Sequence, residues 1–430
     1  MQIYTVASGD SVYSIAKMFG VPPSLIISDN ELADPTKLAI GQSLLIRQPT
    51  ETYTVAVGDT LESVAKRFGV DVGDIWRQNP SLGGRDEIYP GEVLVIRTEP
   101  PLYGELITSA YVYPFVDTDV LRRTLPYLSY ITIFTYGIRR DGTLIDPGDD
   151  KGEAEIIELA HQYGTRPLLM LSTLTEDGTF SNELADYILK NPAVRDEIIR
   201  NLVDEVVTRG YVGVDLDFEY LGAGNAAAYA QFVRDVKTAL AARGDYVVWV
   251  ALAPKTEASQ PGLLYAGHDY KALAAAADRV LLMTYEWGYA FGPPRAIAPL
   301  DEVRAVVNYA VTEAPPEKIM LGIPNYGYDW TLPYVRGTSE AEPVSSIEAP
   351  RRAFERRARI MFDEAAQSPY YSYYLDGREH VVWYEDPRSI SAKAALIFDS
   401  SLSGAGIWNA MKFFPALWLI LDGRFDIVKF

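Results

Sequence analysis

The chain has 430 residues, room for two or three domains at about 150 residues each, and its 48% hydrophobic and 23% charged residues are those of a globular protein. It has no cysteine and only three histidines, His161, His268 and His380, so disulfides, thiol chemistry, a Ser–His–Asp triad and a multi-histidine zinc site are poorly supplied and carboxylates are left to carry the chemistry. A net charge of −19 argues against a nucleic-acid partner, and no apolar run approaches the ~20 residues of a membrane helix.

The N-terminal stretch MQIYTVASGD lacks the basic and apolar regions of a secretory signal. It opens an internal repeat. YTVASGDSVYSIAKMFGV from Tyr4 realigns with YTVAVGDTLESVAKRFGV from Tyr53, and IGQSLLIR from Ile40 with PGEVLVIR from Pro90. Each unit reads strand, helix, helix, strand. Val12, Ile15, Ala16 and Phe19 form one apolar helix face, and Leu61, Val64, Ala65 and Phe68 repeat it. Asp10 and Asp59 stand where N-caps are expected, and Gly20 and Gly69 where the helices should end.

Residues 1–48 and 51–98 resemble LysM domains, on the YTV-x-x-GD-[ST] opening, the FGV after the first helix, the Asn before the last loop and the G-x-x-L-x-I ending. The resemblance implies binding of glycans that contain N-acetylglucosamine. It places contacts on Gly9, Asp10 and Ser11 with loop 32–40, and on Gly58, Asp59 and Thr60 with loop 80–90. The repeats are then expected to act as tethers separable from the rest of the chain.

From about residue 102 to 430 strand-like apolar runs alternate with amphipathic helices. The strands begin at Glu105, Ser129, Pro167, Val212, Tyr246, Arg279, Ile319 and Gly404. Between them lie helices such as 194–209, with Ile198, Leu202 and Val206 inward, and 225–242, with Tyr229, Phe232, Val233, Val236 and Leu240 inward. Eight such steps predict an α/β fold, a TIM (β/α)8 barrel, preceded by the two small α+β (βααβ) units. The seventh step is long. Its Tyr-rich stretch SPYYSYYLDGREHVVWYED reads as a hairpin turning at Asp376-Gly377, in an insertion that walls one side of the barrel mouth.

The fourth strand, VGVDLDFEY, carries Asp215, Asp217 and Glu219 at i, i+2, i+4. Alternate strand residues share a face, so all three carboxylates point into the barrel while Val214, Leu216 and Phe218 face the helices. Glu219 comes last, at the C-terminal mouth where barrel enzymes do chemistry. Like charges lining an interior are costly unless some are protonated, which favours a catalytic role over a solvated edge strand.

This stretch resembles the D-G-x-D-x-D-x-E motif of glycoside hydrolase family 18. MTYEWGYAFGPP, KIMLGIPNYGYDW, VWYEDPRSI and GAGIW extend the resemblance along the chain, which with its two repeats is similar to bacterial spore cortex-lytic N-acetylglucosaminidases. Val212 replaces the motif's first Asp, and Glu286 stands where Asp or Asn is common.

The resemblance implies retaining, substrate-assisted hydrolysis of β-1,4 bonds after N-acetylglucosamine, with no cofactor and no metal. It makes Glu219 the general acid and base, Asp217 the residue that orients the substrate's acetamido group, Asp215 its proton-sharing neighbour and Tyr285 a donor to the acetamido oxygen. Trp408 becomes the floor under the sugar, and Tyr326, Glu286 and Trp287 further sugar contacts. The implied partner is peptidoglycan, as spore cortex or its fragments, in a cortex- or wall-associated protein. A chitinase and a non-catalytic wall-binding protein are the alternatives; endo versus exo action, export and oligomeric state stay open.

Overall fold

The computed structural model describes residues 1–430. Eight strands form its centre: β1 (Glu105–Val112), β2 (Tyr130–Ile138), β3 (Arg166–Ser172), β4 (Gly213–Asp217), β5 (Val247–Leu252), β6 (Arg279–Leu282), β7 (Ile319–Pro324) and β8 (Gly404–Trp408). Each runs parallel to the next, and β8 pairs back onto β1 with Gly406 opposite Ser109, closing the (β/α)8 barrel. These are the eight expected strands.

Strand alternation sorts the side chains into two cores. Ile107, Tyr111, Tyr130, Leu168, Met170, Trp249, Leu281 and Met320 pack together inside the barrel. The opposite faces, with Val214, Leu216 and Phe218 among them, join the inward residues of the helices in the main core. Phe218 stacks on Tyr229 at 5.2 Å, which ties the end of β4 to the helix Ala226–Ala241.

The insertion between β7 and β8 is larger than the expected hairpin. It holds a five-stranded antiparallel sheet in the order Glu342–Ser345, Tyr326–Thr331, Arg378–Trp383, Ser368–Leu375 and Met361–Asp363, with one helix, Glu348–Glu355. The hairpin turns where predicted, with Asp376 and Gly377 both at positive φ, 52° and 76°. Buried Asp329 organises the sheet. It accepts from Arg352 at 2.6 Å, Tyr373 at 2.5 Å and His380 at 3.0 Å.

Both N-terminal units have the expected strand–helix–helix–strand order: Gln2–Thr5, Val12–Phe19, Pro23–Asp29, Ser43–Ile46, then Glu51–Thr54, Leu61–Phe68, Val72–Gln78, Val93–Arg97. Gly20 and Gly69 end their first helices in the left-handed conformation. The N-caps, however, are Ser11 and Thr60, each in a capping box with the Ser three residues on. Asp10 and Asp59 sit one residue too early to cap. They close the preceding turn, accepting from Tyr4 and Tyr53 at 2.7 and 2.6 Å and from Ala7 and Ala56 at 2.8 Å. The repeated Asn is likewise structural: Asn30 brackets Leu45 from both sides, and Asn79 does the same to Val95.

The repeats are built onto the barrel, which the tether expectation did not foresee. Arg47 forms a buried bidentate pair with Asp29 at 2.7 Å and also reaches Gln78, whose amide donates to Asp422 of the last barrel helix at 2.7 Å. Arg77 meets the same Asp422 at 2.9 Å. The first repeat goes further. Ser43 donates to Asp386 at 2.7 Å, the Ile360 amide donates to the Ile40 carbonyl at 2.9 Å, and Ala39 joins the insertion's own core.

The second repeat keeps the equivalent face open. Gly41 lies so close to the Ile360 carbonyl that a Cβ would sit 2.0 Å from its oxygen, whereas Gly91 has nothing within 4 Å. Ser43 is buried; its counterpart Val93 is 60% exposed.

Candidate active site

The C-terminal mouth of the barrel opens into a cleft of about 1040 Å³. Glu219, Tyr285, Glu286, Trp287, Tyr326 and Trp408 all line it, so six residues singled out from the sequence meet at one place. Asp217 lies beneath, in a smaller apolar recess shared with Tyr111, Met170, Met283, Tyr285 and Trp408. Asp215 is deeper still and fully buried.

The carboxylates differ because their depths differ. Tyr111 donates to Asp215 Oδ2 at 2.7 Å, while Oδ1 of both Asp215 and Asp217 accepts no hydrogen bond from the protein. Burial lifts Asp215 to about 6 against the pull of the Tyr111 hydrogen bond. Asp217 is pushed well above the carboxylate range, first by burial and then by the charges of Glu219 and Asp215. Burial raises Glu219 to about 7. A stack of three carboxyl groups that resists full ionisation at neutral pH can retain and pass a proton.

Glu219 is fixed from behind. β4 ends at Asp217, and Tyr220 turns the chain with φ of 56°, a left-handed conformation that a bulky residue adopts only when its surroundings impose it. His268, fully buried, bridges the Phe218 carbonyl at 2.9 Å and the Ala253 amide at 2.8 Å. Its Nδ1 accepts, so Nε2 carries the proton and donates; burial lowers its basicity to about 4 and keeps it neutral. The histidine that sequence reading left without a role thus anchors the peptide that precedes Glu219.

Tyr285 and Trp408 stack nearly parallel, 14° between planes at 6.2 Å, and Trp408 also meets Phe134 and Tyr111. Burial and the neighbouring carboxylates hold the Tyr285 phenol far above its ordinary range, so it is an O–H donor. Glu286 adopts φ of 64° and accepts from both Tyr326 and Tyr328, the latter at 3.1 Å. Two of the expected sugar contacts, Glu286 and Tyr326, are therefore bonded to each other. Trp287 lines the wall with its backbone held by Ile297 at 3.0 Å.

Sequence reading missed Tyr111, Tyr113, Tyr220, Tyr265, Tyr289, Asn325 and Lys412, all on the cleft or its recess. Tyr111 had a signal: it shares the inward parity of Ile107 on β1. Tyr265 lies in the single helical turn Leu263–Ala266 and the others on loops, where periodicity is silent. Gly9, Asp10, Ser11, Gly58, Asp59 and Thr60 sit on the repeat surfaces, and none lines the cleft.

A closed barrel with buried acids below a carboxyl group at an aromatic-walled cleft is the architecture of a barrel enzyme with its chemistry at the C-terminal mouth. The chain belongs to the glycosyl hydrolases family 18, whose model matches residues 110–412, and LysM domain models match residues 4–47 and 53–97. It is 37% identical to the cortical fragment-lytic enzyme of Bacillus subtilis, across 100% of this chain and 99% of that one. The spore cortex-lytic enzymes SleL of Bacillus cereus and Bacillus megaterium superpose with TM-scores of 0.83 and 0.84, at 34% and 35% identity. Those superpositions cover 100% of this chain and 98% and 99% of theirs.

Proposed function

We propose that this glycosidase cleaves peptidoglycan of the spore-cortex type, or its fragments, after N-acetylglucosamine, by substrate-assisted retention. The observation that carries the mechanism is the distribution of carboxylates. Asp215 and Asp217 lie on β4 and Glu219 two residues beyond its end, Glu286 is engaged by Tyr326 and Tyr328, and Glu348 by Arg352 at 2.8 Å. With Glu286 and Glu348 already engaged and Asp217 beneath the cleft floor, the 2-acetamido oxygen of the substrate takes the nucleophile's part, as in substrate-assisted glycosidases.

Glu219 protonates the departing glycosidic oxygen as the acetamido oxygen closes on the anomeric carbon. It then takes a proton from the water that opens the oxazolinium ion. Asp217, its proton passed to its neighbour Asp215, accepts the acetamido N–H and opposes the ring's positive charge. Tyr285 donates to the acetamido oxygen and positions it. Trp408 carries the apolar face of the sugar, and Trp287 lines the adjoining wall.

A general acid near pH 7 must be protonated to act, so kcat/KM falls about tenfold per pH unit above about 7, as a pH profile on a soluble oligosaccharide will record. Replacing the N-acetyl group with a free amine removes the nucleophile. Such a substrate should be cut slower by roughly 10³ or more, since the well-placed intramolecular group is lost. Comparable rates on both substrates would overturn the mechanism and leave the glycosidase class standing.

Wall attachment falls to the repeats, and the second is the better placed. Its Gly58-Asp59-Thr60 turn and the end of its loop 80–90 face solvent, with Tyr89 65% exposed, although Pro80 and Gly84 are buried and Gly84 accepts from Tyr163 of the barrel; Ala39, Gly41 and Gln42 of the first repeat are all buried. Association with cortex or cell wall follows from such attachment. The relatives that span the whole chain are named for cortex lysis, which favours this polymer over chitin.

A further inference from the structure

Lys412 is the one cation among the residues lining the catalytic cleft, and no carboxylate of the protein pairs with it. The charged groups that share the lining are acidic: Glu219, Glu286 and Glu348. Nearby bases are committed elsewhere. Lys255, behind Pro254, donates to the carbonyls of Ala258 and His268 at 3.1 and 2.9 Å, and Arg352 is held by Asp329, Glu342 and Glu348.

The side chain is exposed, yet its backbone is pinned. The buried Asn325 amide donates to the Lys412 carbonyl at 2.8 Å and to that of Asn409 at 3.3 Å. The Met411 amide donates to Asn409 Oδ1 at 3.2 Å, and its sulfur accepts from the Tyr113 amide at 3.3 Å. Lys412 is thus fastened where β8 meets β1, beside Tyr113, whose ring stacks on the 69% exposed Phe115 at 5.3 Å. An aromatic surface and an unpaired ammonium stand together on that side of Trp408.

A neutral polymer of N-acetylglucosamine offers this ammonium no anion. Peptidoglycan does, on each muramyl sugar that keeps its lactyl carboxylate free or carries a peptide. Resting on the substrate reading above, we propose that Lys412 determines specificity by pairing with a carboxylate of the muramyl unit next to the N-acetylglucosamine held at Glu219, on the β8–β1 side.

The test compares kcat/KM of the full chain on three soluble tetrasaccharides: the neutral N-acetylglucosamine tetramer, a peptide-free muramyl tetrasaccharide with its lactyl carboxylates free, and the same strand with peptides amide-linked. Lys412→Ala should lower the muramyl-to-neutral ratio about twofold to fivefold, the range of a solvated ion pair. Lys412→Glu should lower it further and Lys412→Arg should keep it. In the parent the ratio should also shrink at about 1 M salt, where charges are screened within a few ångströms. Loss confined to the peptide-free strand assigns the lactyl group; loss confined to the peptide-bearing strand assigns the peptide. An unchanged ratio in both Lys412→Ala and Lys412→Glu overturns the proposal. A parent that cuts only the neutral tetramer would instead refute the substrate reading, a different and separable outcome.

Discussion

Glu219→Gln lowers kcat by roughly a hundredfold to ten-thousandfold while the protein remains folded, because the exchange keeps shape and removes only proton transfer. Steady-state rates on a soluble N-acetylated oligosaccharide, with a thermal melt as control, measure both halves. The melt has a sign of its own. Burial holds the Glu219 carboxyl protonated up to about 7, whereas the unfolded chain ionises it in the ordinary carboxylate range. A raised carboxylate pKa makes the fold lose stability as pH rises between those two values. Glutamine carries no such burden, so at pH 8 the variant should melt at the parent's temperature or above it. Parental turnover in the variant would remove Glu219 from its role.

Gly41→Val is the substitution with the largest expected effect on stability, and Gly91→Val is its control within the same chain. Both glycines occupy the same place in the two repeats, at φ of 88° and 93°. Valine in that conformation costs about 1–2 kcal/mol at either position. Only at Gly41 must it also displace the Ile360 carbonyl, since the added Cβ would lie 2.0 Å from the oxygen. Overpacking of that kind adds about 1–3 kcal/mol. Gly41→Val should therefore unfold at clearly lower urea than Gly91→Val, and the difference reports the docking of the first repeat against the insertion. The insertion's Pro343, Val344, Ser345 and Glu348 line the cleft, so loss of activity on soluble substrate should accompany loss of docking. Equal midpoints for the two variants would mean that the first repeat is the separable tether its sequence suggests.

That contrast marks how far the sequence reaches. The barrel was legible because each strand is a short apolar run between amphipathic helices, and the acidic face of β4 because a period of two needs no knowledge of neighbours. The Glu–Tyr pairing at Glu286 was not legible: it joins the residue after Tyr285 to a strand of the insertion, and it depends on a left-handed φ at a non-glycine. Tyr111 and Asp215 meet across the barrel although 104 residues separate them. Ser43 and Asp386, 343 residues apart, each look like an ordinary polar residue until the fold brings them together. The docking of the repeats was hidden for a related reason. Their likeness records a shared fold, while what differs between them, Ser43 against Val93 and a covered against an open glycine, is a matter of what lies beside them.

The position of the cut bears most directly on the proposed activity. Purified cortex fragments digested with the protein, reduced with borohydride and analysed by mass spectrometry reveal which sugar held the new reducing end. Hydrolysis by Glu219 with the acetamido group of N-acetylglucosamine as nucleophile leaves that sugar at the end, so N-acetylglucosaminitol is the expected product and should be absent from a Glu219→Gln digest. Muramitol in its place, or glucosaminitol formed equally by the variant, would contradict the assignment.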